Sequence, residues 1–293
     1  MKNFKSLSSI LLLVLVLTSI SSCKKDDPDD GPFDPPNISY DIDKPYVLTD
    51  VPYGSHTDQK MDMYLPANRN PNTTKVFVLI HGGGWNAGDK EHFNYVFDAL
   101  KQYYPNHAIV NINYRLASWN SPAIPKQIQD IESALKHASS DKFNISKQYC
   151  LFGNSAGGHL AMLYGYRYNA NNYVKAVINT VGPSYLADPY YTSNTSMYDV
   201  VGPHSFSTHP QLYYDASPVS WLSPSAPITI SFYGDSDILV PTSQLDTLES
   251  ALTNHGVVHY STLYPGEGHG NWSQATSADY LLKVINFIDT HFN

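Results

Sequence analysis

Cysteine and positive charge are both scarce in this sequence. Only two of its 293 residues are cysteines, Cys23 and Cys150. Two are too few for a disulfide scaffold, and there is no Cys-x-x-Cys pair to indicate structural zinc. Lysine and arginine number 18 against 26 aspartates and glutamates, so the formal net charge is −8. Because such a chain has little with which to neutralise a phosphate backbone, a nucleic-acid partner is not expected.

Apolar runs long enough to span a membrane are also missing from the N-terminal region. The apolar run Ile10–Leu17 has eight residues, whereas a spanning helix needs about 20. Two lysines, Lys2 and Lys5, precede this run, and Ser21-Ser22-Cys23 follows it. A basic start, a short apolar run and small residues are typical of a secretory signal.

The position of Cys23 in that signal makes it resemble a bacterial lipoprotein signal, in which the cysteine is lipidated and becomes the new N-terminus. We therefore predict a signal peptide over residues 1–22 and a lipid anchor at Cys23, which would make the membrane a partner. The alternative is an ordinary signal peptide followed by an incidental cysteine.

A charged, proline-rich stretch follows the cysteine, and residues 23–45 are predicted to be a flexible linker. Acidic residues directly after the lipidated cysteine resemble the surface-export signal of lipoproteins from Bacteroidetes-type bacteria, although a plain spacer explains them equally well. The predicted location is that of an exported bacterial lipoprotein, either at the outer membrane or cell surface or facing the periplasm.

The remainder, residues 46–293, is predicted to be one α/β domain. Strand-like runs alternate with helical patterns, and Val76–Ile80 is apolar throughout, which favours a strand buried on both faces of a mostly parallel sheet. The expected strands are Tyr46–Val51, Lys60–Leu65, Val76–Ile80, Ala108–Tyr114, Gln148–Phe152, Val174–Thr180, Ile228–Tyr233 and Val257–Leu263. The expected helices are Lys90–Tyr104, Pro125–Ser139, Ala156–Tyr168, Ser243–Asn254 and Ala278–His291. The first two strands lack a helix between them and are predicted to be antiparallel.

Residues 183–227 interrupt this alternation. They are rich in tyrosine, serine, proline and histidine and show little periodicity. An irregular stretch of that length in a compact domain is usually functional, so a lid or pocket wall is expected there.

The sequence Gly153-Asn154-Ser155-Ala156-Gly157 contains the first chemical motif, G-x-S-x-G, between an expected strand and an expected helix. Because the serine would sit on a strained turn, the residues two positions before and after it must have almost no side chain. The Ala156 amide, at the start of the helix, would point to where an oxyanion forms.

A glycine run, His81-Gly82-Gly83-Gly84-Trp85, directly follows the expected strand Val76–Ile80. Glycines here let the backbone approach a ligand closely, and their free amides can donate hydrogen bonds to a developing oxyanion. His81 could be a catalytic histidine, but a structural role in holding the loop is the preferred interpretation.

An acid and a histidine follow two later strands, at Asp235 or Asp237 and at His269. Serine needs a neighbouring base to attack at neutral pH, and a carboxylate fixes the tautomer of that base. Other histidines compete with His269: His159 lies one helical turn past Ser155 and is expected to be a core or surface residue. His204 and His209 lie in the irregular stretch, either lining a pocket or on the surface.

These motifs together resemble the α/β-hydrolase superfamily. More narrowly, they resemble the His-Gly-Gly-Gly-Trp esterases, which include hormone-sensitive-lipase-like esterases, kynurenine-formamidase-like enzymes and bacterial acetyl or feruloyl carbohydrate esterases. The resemblance covers roughly residues 46–292. Its other motifs are Met61-Asp62-Met63-Tyr64-Leu65-Pro66, Asn113-Tyr114-Arg115-Leu116, the continuation Gly157-Gly158-His159-Leu160-Ala161, and Gly-x-x-Asp-x-x-Val-Pro from Gly234.

The resemblance implies an α/β-hydrolase fold with a sheet of about eight strands and a triad of Ser155, Asp237 and His269. It also implies oxyanion donors at Gly83, Gly84 and Ala156, with Trp85 a possible further donor. No metal and no cofactor are implied.

The predicted function is that of a serine esterase. Tyrosine and tryptophan near the site suit acetylated or feruloylated plant polysaccharide, because aromatic faces stack on sugar rings and on ferulate. The candidate substrate contacts are Trp85, Tyr190 and Trp221, with Tyr191, Tyr213 and Tyr214 in the same aromatic group. The alternatives are an amidase, formamidase or peptidase on the same triad, and a catalytically inactive binding lipoprotein.

Overall fold

The computed structural model describes residues 39–193 and 197–293. The predicted signal peptide, the predicted lipidation site Cys23 and the predicted linker up to residue 38 lie outside the described residues. Among the described residues, no helix combines the length and apolarity needed to cross a bilayer.

Within residues 39–193 and 197–293, eight strands form one sheet in the order β1-β2-β4-β3-β5-β6-β7-β8. β1 pairs antiparallel with β2 and β2 with β4, whereas every later pair is parallel. This confirms both the antiparallel start and the α/β-hydrolase fold. The strands are β1 (Tyr46–Pro52), β2 (Lys60–Leu65), β3 (Val76–Ile80), β4 (Ala108–Ile112), β5 (Tyr149–Asn154), β6 (Val174–Thr180), β7 (Ile228–Gly234) and β8 (His259–Tyr264).

Helices cover both faces of this sheet. The described α-helices are α1 (Asn94–Tyr103), α2 (Lys126–Ala138), α3 (Ala156–Arg167), α4 (Pro189–Thr192), α5 (Tyr198–Val201), α6 (Pro210–Asp215), α7 (Ser243–Asn254) and α8 (Gln274–His291). Short 3₁₀ helices lie at Lys90–Phe93, Asp141–Phe143 and Pro218–Trp221.

The core has two halves, one on each face of the sheet. Helices α1 and α8 pack on one face and α2, α3 and α7 on the other. Strand β3 is fully buried, and its alternate residues join the two halves: Phe77 and Leu79 face α1 and α8, and Val78 faces the other side. The prediction of a strand buried on both faces is confirmed.

Several predicted boundaries move because side chains bind the backbone there. Asp89 caps the Lys90–Phe93 turn by accepting from the Glu91 amide, so the chain enters α1 through a 3₁₀ turn. Strand β4 ends before Asn113, whose side chain accepts from the Lys90 amide at 2.6 Å. The last helix begins earlier than predicted, since the Ser273 hydroxyl caps its first turn.

The irregular residues 183–227, here called the cap segment, contain helices α4, α5 and α6 of four to six residues and the Pro218–Trp221 turn. Helices this short produce no visible hydrophobic periodicity. That explains why the sequence pattern of the cap segment predicted no elements.

Candidate active site

Ser155 lies on a strained turn between β5 and α3. Its backbone adopts φ 52° and ψ −122°, a conformation that costs free energy for a residue with a side chain. The turn is held by the Ser155 amide, which donates to the Thr180 carbonyl at 2.8 Å, and by the Ser155 carbonyl, which accepts from the His159 amide at 3.0 Å. Strands β5 and β6 therefore hold the serine at the carboxyl edge of the sheet.

Glycine is required on both sides of this serine. A Cβ added to Gly153 would lie 2.2 Å from the Gly157 carbonyl oxygen, and one added to Gly157 would lie 1.9 Å from the Ile80 carbonyl oxygen. Contacts that short are incompatible with any side chain. The steric expectation for the G-x-S-x-G turn is confirmed.

His269 connects Ser155 to Asp237. The Ser155 Oγ lies 2.8 Å from His269 Nε2, and His269 Nδ1 lies 2.6 Å from Asp237 Oδ2. In the neutral tautomer that satisfies both contacts, Nδ1–H donates to the carboxylate and Nε2 accepts the serine hydroxyl. The structure thus brings together the three residues predicted as a triad, in hydrogen-bond order.

Asp237 is held as a buried carboxylate. Its side chain is fully buried, and burial by itself raises the pKa. The contact with His269 and the amides of Leu239 and Val240, at 2.8 and 3.0 Å from Oδ1, outweigh that effect. The pKa of Asp237 therefore lies below its ordinary value, and the group stays ionised beside the histidine.

Asp235, the other aspartate of the motif, has a different position. It is exposed, and its Oδ1 accepts from the Gly266 amide at 2.6 Å. This bond ties the loop after β7 to the loop after β8, which carries His269. Asp235 therefore braces the two loops, and of the two aspartates it is Asp237 that contacts the histidine.

The glycine loop, residues 81–88, lies directly against the nucleophile. A Cβ on Gly82 would lie 3.2 Å from the Ser155 Cβ. Gly83 and Gly84 adopt φ of 121° and 56°. Within the described residues the amides of Gly83, Gly84 and Ala156 have no hydrogen-bond acceptor. Three N–H groups near Ser155 are thus available to an external oxygen atom.

His81 is buried beneath this loop. Its Nδ1–H donates to the Gly82 carbonyl at 2.7 Å, and its ring stacks on Tyr114 with centroids 4.2 Å apart. The Tyr114 hydroxyl donates to the His81 carbonyl at 2.8 Å. Burial lowers the pKa of His81 to about 4, so the ring stays neutral at neutral pH. The structure places His81 in the loop-holding position, away from Ser155.

Trp85 requires a correction. Its ring was expected to meet the substrate, but the side chain is buried and its Nε1–H donates to His159 Nδ1 at 3.1 Å. His159 is fully buried, and its Nε2–H donates to the Ala216 carbonyl at 2.7 Å. Burial lowers the pKa of His159 to about 4. This neutral histidine therefore joins the glycine loop to the cap segment, and Trp85 is an interior residue.

Trp221 also lies elsewhere than expected. Its ring packs 3.7 Å from the Arg167 guanidinium, and its Nε1–H donates to the Asp215 carbonyl at 3.0 Å. Arg167 ends α3 and Ser155 precedes its first residue, so the helix separates them by about 18 Å. The expectation that Trp221 contacts a substrate bound at Ser155 is corrected accordingly.

The tyrosines of the cap segment divide between interior and surface. Tyr191 and Tyr213 are buried, whereas Tyr190 and Tyr214 are 44% and 37% exposed. The Tyr190 hydroxyl donates to the carbonyl of Ile238, the residue after Asp237. Tyr190 is thus the candidate substrate contact that the structure leaves on the surface beside the triad.

The histidines of the cap segment contact each other, with ring centroids of His204 and His209 4.4 Å apart. Neither contacts the triad. Cys150 is fully buried in β5, where burial raises the pKa of its thiol. In the described part of the chain, no cluster of three histidine, cysteine or acidic side chains could hold a metal ion.

The cap segment borders the site on two sides. At one end Tyr190 contacts the loop of Asp237, as described above. Further along, Asp199 accepts from the Asn86 side chain of the glycine loop at 2.7 Å. At its base the Ser184 hydroxyl donates to the Gln244 carbonyl at 2.6 Å.

Two buried amides that support the site were not singled out from the sequence. The Asn179 side chain accepts from the Gly182 amide at 3.0 Å and donates to the Tyr233 hydroxyl at 2.9 Å, behind Ser155. The Gln127 side chain donates to the Trp85 carbonyl at 2.7 Å. The available signal was a polar residue inside an apolar strand or on the buried face of a helix.

Two curated relatives resemble different shares of this chain. LipC of Mycobacterium tuberculosis, named an esterase, is 27% identical over 241 residues, covering 75% of this chain and 59% of LipC. The kynurenine formamidase of Danio rerio is 29% identical over 117 residues, covering 40% of this chain and 38% of that protein. The chain thus spans less than two thirds of both relatives.

Among solved structures, a truncated carbohydrate esterase from gut microbiota superposes with a TM-score of 0.62 at 22% identity. It covers 84% of this chain and 98% of the esterase, a likeness that shows the shared fold. The sequence model of the BD-FAE family matches residues 61–252. That match includes the glycine loop, Ser155 and Asp237 and takes in more than half of the chain, which therefore belongs to the BD-FAE family.

Proposed function

We propose that this protein is a serine hydrolase that cleaves carboxylic esters. The observation that carries the proposal is the hydrogen-bonded series of Asp237, His269 and Ser155, with contacts of 2.6 and 2.8 Å, beside unengaged amides of the glycine loop. The name of LipC, an esterase, supports the same reaction class.

In the proposed acylation step, the Ser155 Oγ attacks the ester carbonyl carbon while its proton passes to His269 Nε2. The carbonyl oxygen becomes an oxyanion that accepts hydrogen bonds from the amides of Gly83, Gly84 and Ala156. When the tetrahedral intermediate collapses, the bond to the alcohol breaks and the alcohol leaves with the proton from Nε2.

Deacylation reverses these roles with water. A water molecule gives a proton to His269 Nε2 and attacks the acyl carbon, and Ser155 recovers its proton as the acid leaves. Asp237 stabilises the imidazolium that forms in both steps, because it is ionised and buried 2.6 Å from Nδ1. His269 thus takes up a proton and returns it in each step, while Asp237 stabilises it throughout.

For the substrate we propose an ester on a carbohydrate, carrying acetyl or feruloyl groups. Support comes from the structural likeness to a carbohydrate esterase and from the predicted lipid anchor at Cys23, which would place the enzyme outside the cytoplasm, where plant polysaccharide is met. Aromatic stacking supports this substrate less than the sequence indicated, since Trp85 is buried against His159 and Trp221 packs on Arg167. Of the three candidates, Tyr190 is the one exposed beside the triad.

Amide hydrolysis is the competing proposal, and the match to the zebrafish kynurenine formamidase favours it. The same three residues can cleave a formamide, because the tetrahedral intermediate and the proton transfers are alike. An amine depends more than an alcohol does on receiving a proton before it can leave. The relative rates of hydrolysis of an ester and of a formamide therefore distinguish the two proposals.

The test compares the purified protein with its Ser155→Ala variant on 4-nitrophenyl acetate, 4-nitrophenyl octanoate, acetylated xylan, methyl ferulate and N-formylkynurenine. The variant is expected to lose activity on the order of 10⁶-fold with an unchanged circular dichroism spectrum. Acetate or ferulate released from the natural esters supports the carbohydrate assignment. Turnover of N-formylkynurenine alone supports the amidase, and no Ser155-dependent turnover contradicts both.

A further inference from the structure

A cleft of about 220 Å³ lies at the opposite edge of the sheet from Ser155. Its walls come from the C-terminal ends of α2 and α3, the loop after α3 and the first residue of β5, Tyr149. Because Ser155 follows the last residue of β5, the strand places the cleft about 20 Å from the nucleophile. It is separate from the catalytic machinery.

Four tyrosines line this cleft. Tyr164 and Tyr168 lie near parallel, with centroids 6.3 Å apart and an interplanar angle of 23°, and Tyr149 meets Tyr173 edge-on at 6.5 Å. Tyr149 and Tyr164 are buried at its base, whereas Tyr168 is half-buried and Tyr173 is 40% exposed. The Arg167 guanidinium lies 5.2 Å from the centroid of the Tyr168 ring. The aromatic surface that the cleft offers to a ligand is therefore the exposed part of Tyr168 and Tyr173, together with their polar ring ends.

The rim carries polar side chains that the described structure leaves unused. Glu132, Lys136 and Asn171 have no hydrogen bond or ion pair to another described side chain. Lys147 lies with its ammonium 5.8 Å from the Tyr173 ring. Donors and acceptors are therefore available around the aromatic base.

These features limit the class of ligand. Aromatic rings alone would attract an organic cation, but two lysines on the rim disfavour one. The net charge of −8 disfavours a polyanion. A purely apolar ligand would strip water from the polar rim without replacing its hydrogen bonds. The volume is below the roughly 300–1,000 Å³ of sites for drug-sized ligands, so a single ring fits better than a larger molecule.

The geometry points to a sugar-binding site in this cleft, which holds one uncharged sugar residue of a polysaccharide by stacking on the tyrosines and hydrogen bonding to the rim. The biological role of this site rests on the proposed function, since the cleft would hold the same polymer whose esters are cleaved at Ser155. A second contact on one polymer raises the effective concentration of its esters at the active site. Small esters gain nothing from it.

The test is the migration of the full chain in native gels that contain deacetylated, uncharged xylan, which involves no catalysis. Wild-type protein is expected to be retarded. Tyr168→Ala is expected to raise the dissociation constant roughly three- to tenfold, the value of one aromatic contact. Tyr103→Ala, a 45% exposed tyrosine on α1, is the matched control and should migrate as wild type does.

Asn171→Ala, an exposed loop change, keeps the test open if Tyr168→Ala fails to fold, and it is also expected to weaken retardation. Retardation that is absent in the wild type, or equal in the wild type and in a folded cleft variant, overturns the site. Hydrolysis of 4-nitrophenyl acetate is measured in parallel and should be unchanged in both variants, whereas KM for acetylated xylan should rise. Loss of all ester hydrolysis in the wild type would contradict the proposed function without affecting the gel result.

Discussion

The two walls that meet at Ser155 are built in different ways. The glycine loop approaches the nucleophile with its backbone: a side chain on Gly82 would lie 3.2 Å from the Ser155 Cβ, and one on Gly83 would lie 2.2 Å from the Ala87 carbonyl oxygen. Beside the site the cap segment is instead attached by side chains, such as the Tyr190 hydroxyl on the Ile238 carbonyl and Ser184 on Gln244. Its backbone bonds, from the Ala123 and Ile124 amides to the Asp199 and Val200 carbonyls, lie just before α2.

This difference separates the chemistry from the recognition of the substrate. A wall that touches the nucleophile through bare backbone tolerates almost no substitution, which suits a set of donors whose positions must not change. A wall held by individual side-chain bonds can exchange residues on its surface and keep its place. Between the two walls, the buried His159 bonds to Trp85 on one side and to Ala216 on the other.

After the loss of Ser155 itself, the largest expected effect concerns the acid that orients the histidine. Asp237→Asn should lower kcat on the order of 10⁴-fold, because an amide in that position holds the wrong tautomer of His269. The control is Asp235→Asn, two residues away and exposed, whose Oδ1 still accepts from Gly266. It should cost about tenfold or less, the value of one net hydrogen bond. Steady-state rates on 4-nitrophenyl acetate measure both, and an equal loss would contradict the assignment of roles.

A second prediction tests whether the close backbone contact between the Ser155 turn and the end of β3 tolerates a side chain. Gly157→Ala places a Cβ 1.9 Å from the Ile80 carbonyl oxygen, so the turn must shift, and the free energy of unfolding should fall by about 3 kcal/mol or more. Gly256→Ala is the control for a glycine with free space around it: nothing lies within 4 Å of its added Cβ, although its φ is left-handed at 65°, whereas Gly157 is helical. It should cost about 1–2 kcal/mol.

Urea denaturation measures both variants, and the ester rate of Gly256→Ala should be that of the wild type. If Gly157→Ala were as stable and as active as Gly256→Ala, the close contact between the Ser155 turn and the end of β3 would not require glycine.

The third prediction concerns the pH dependence of stability. It involves two buried histidines, His81 in the glycine loop and His159 between that loop and the cap segment. Burial lowers the pKa of His81 and of His159 to about 4, whereas in the unfolded chain each takes up a proton near pH 6.5. Between these values the unfolded state binds more protons, so the free energy of unfolding falls as the pH falls. The expected loss is about 1.4 kcal/mol per pH unit for each histidine.

This contribution is complete above about pH 6.5 and is lost on acidification toward pH 4. His107 and His137, whose pKa burial also lowers, act in the same direction. Asp237, with its lowered pKa, adds a loss below about pH 3.9. Urea midpoints from pH 7 to pH 4.5 measure the slope, which should be shallower in His159→Gln. A flat profile would show that these histidines are not held neutral by the fold.

How well each side of the site could be predicted from the sequence depends on whether its backbone or its side chains make the contacts. The sequence predicted β3, the Ser155 turn and the positions of the glycines, because close backbone contact leaves glycine as the sole residue that fits. It could not choose between Asp235 and Asp237 without the family motif, since both follow the same strand. Only the fold shows that Asp235 binds the Gly266 amide while Asp237 contacts His269.

The orientation of large aromatic rings was less predictable. A tryptophan suits an interior and a binding surface equally, and the partner of Trp85 is decided by His159, 74 residues later in the chain. In the cap segment, helices of four to six residues are too short for their periodicity to show which tyrosines face inward. Tertiary contacts alone separate the buried Tyr191 from the exposed Tyr190 beside it.

The smallest expected effect concerns the cap segment and compares two of its aromatic residues. Trp221→Ala should change kcat/KM for esters by less than about twofold, because its ring packs on the guanidinium of Arg167, the last residue of α3, whereas Ser155 precedes the first. Tyr190→Ala should raise KM about three- to tenfold with little change in kcat, the result of losing one aromatic contact in ground and transition state alike. The two variants are compared on 4-nitrophenyl octanoate and methyl ferulate. A larger loss in Trp221→Ala than in Tyr190→Ala would mean that the substrate extends along α3, and the recognition surface would then lie on that side of the cap segment and not beside the Asp237 loop.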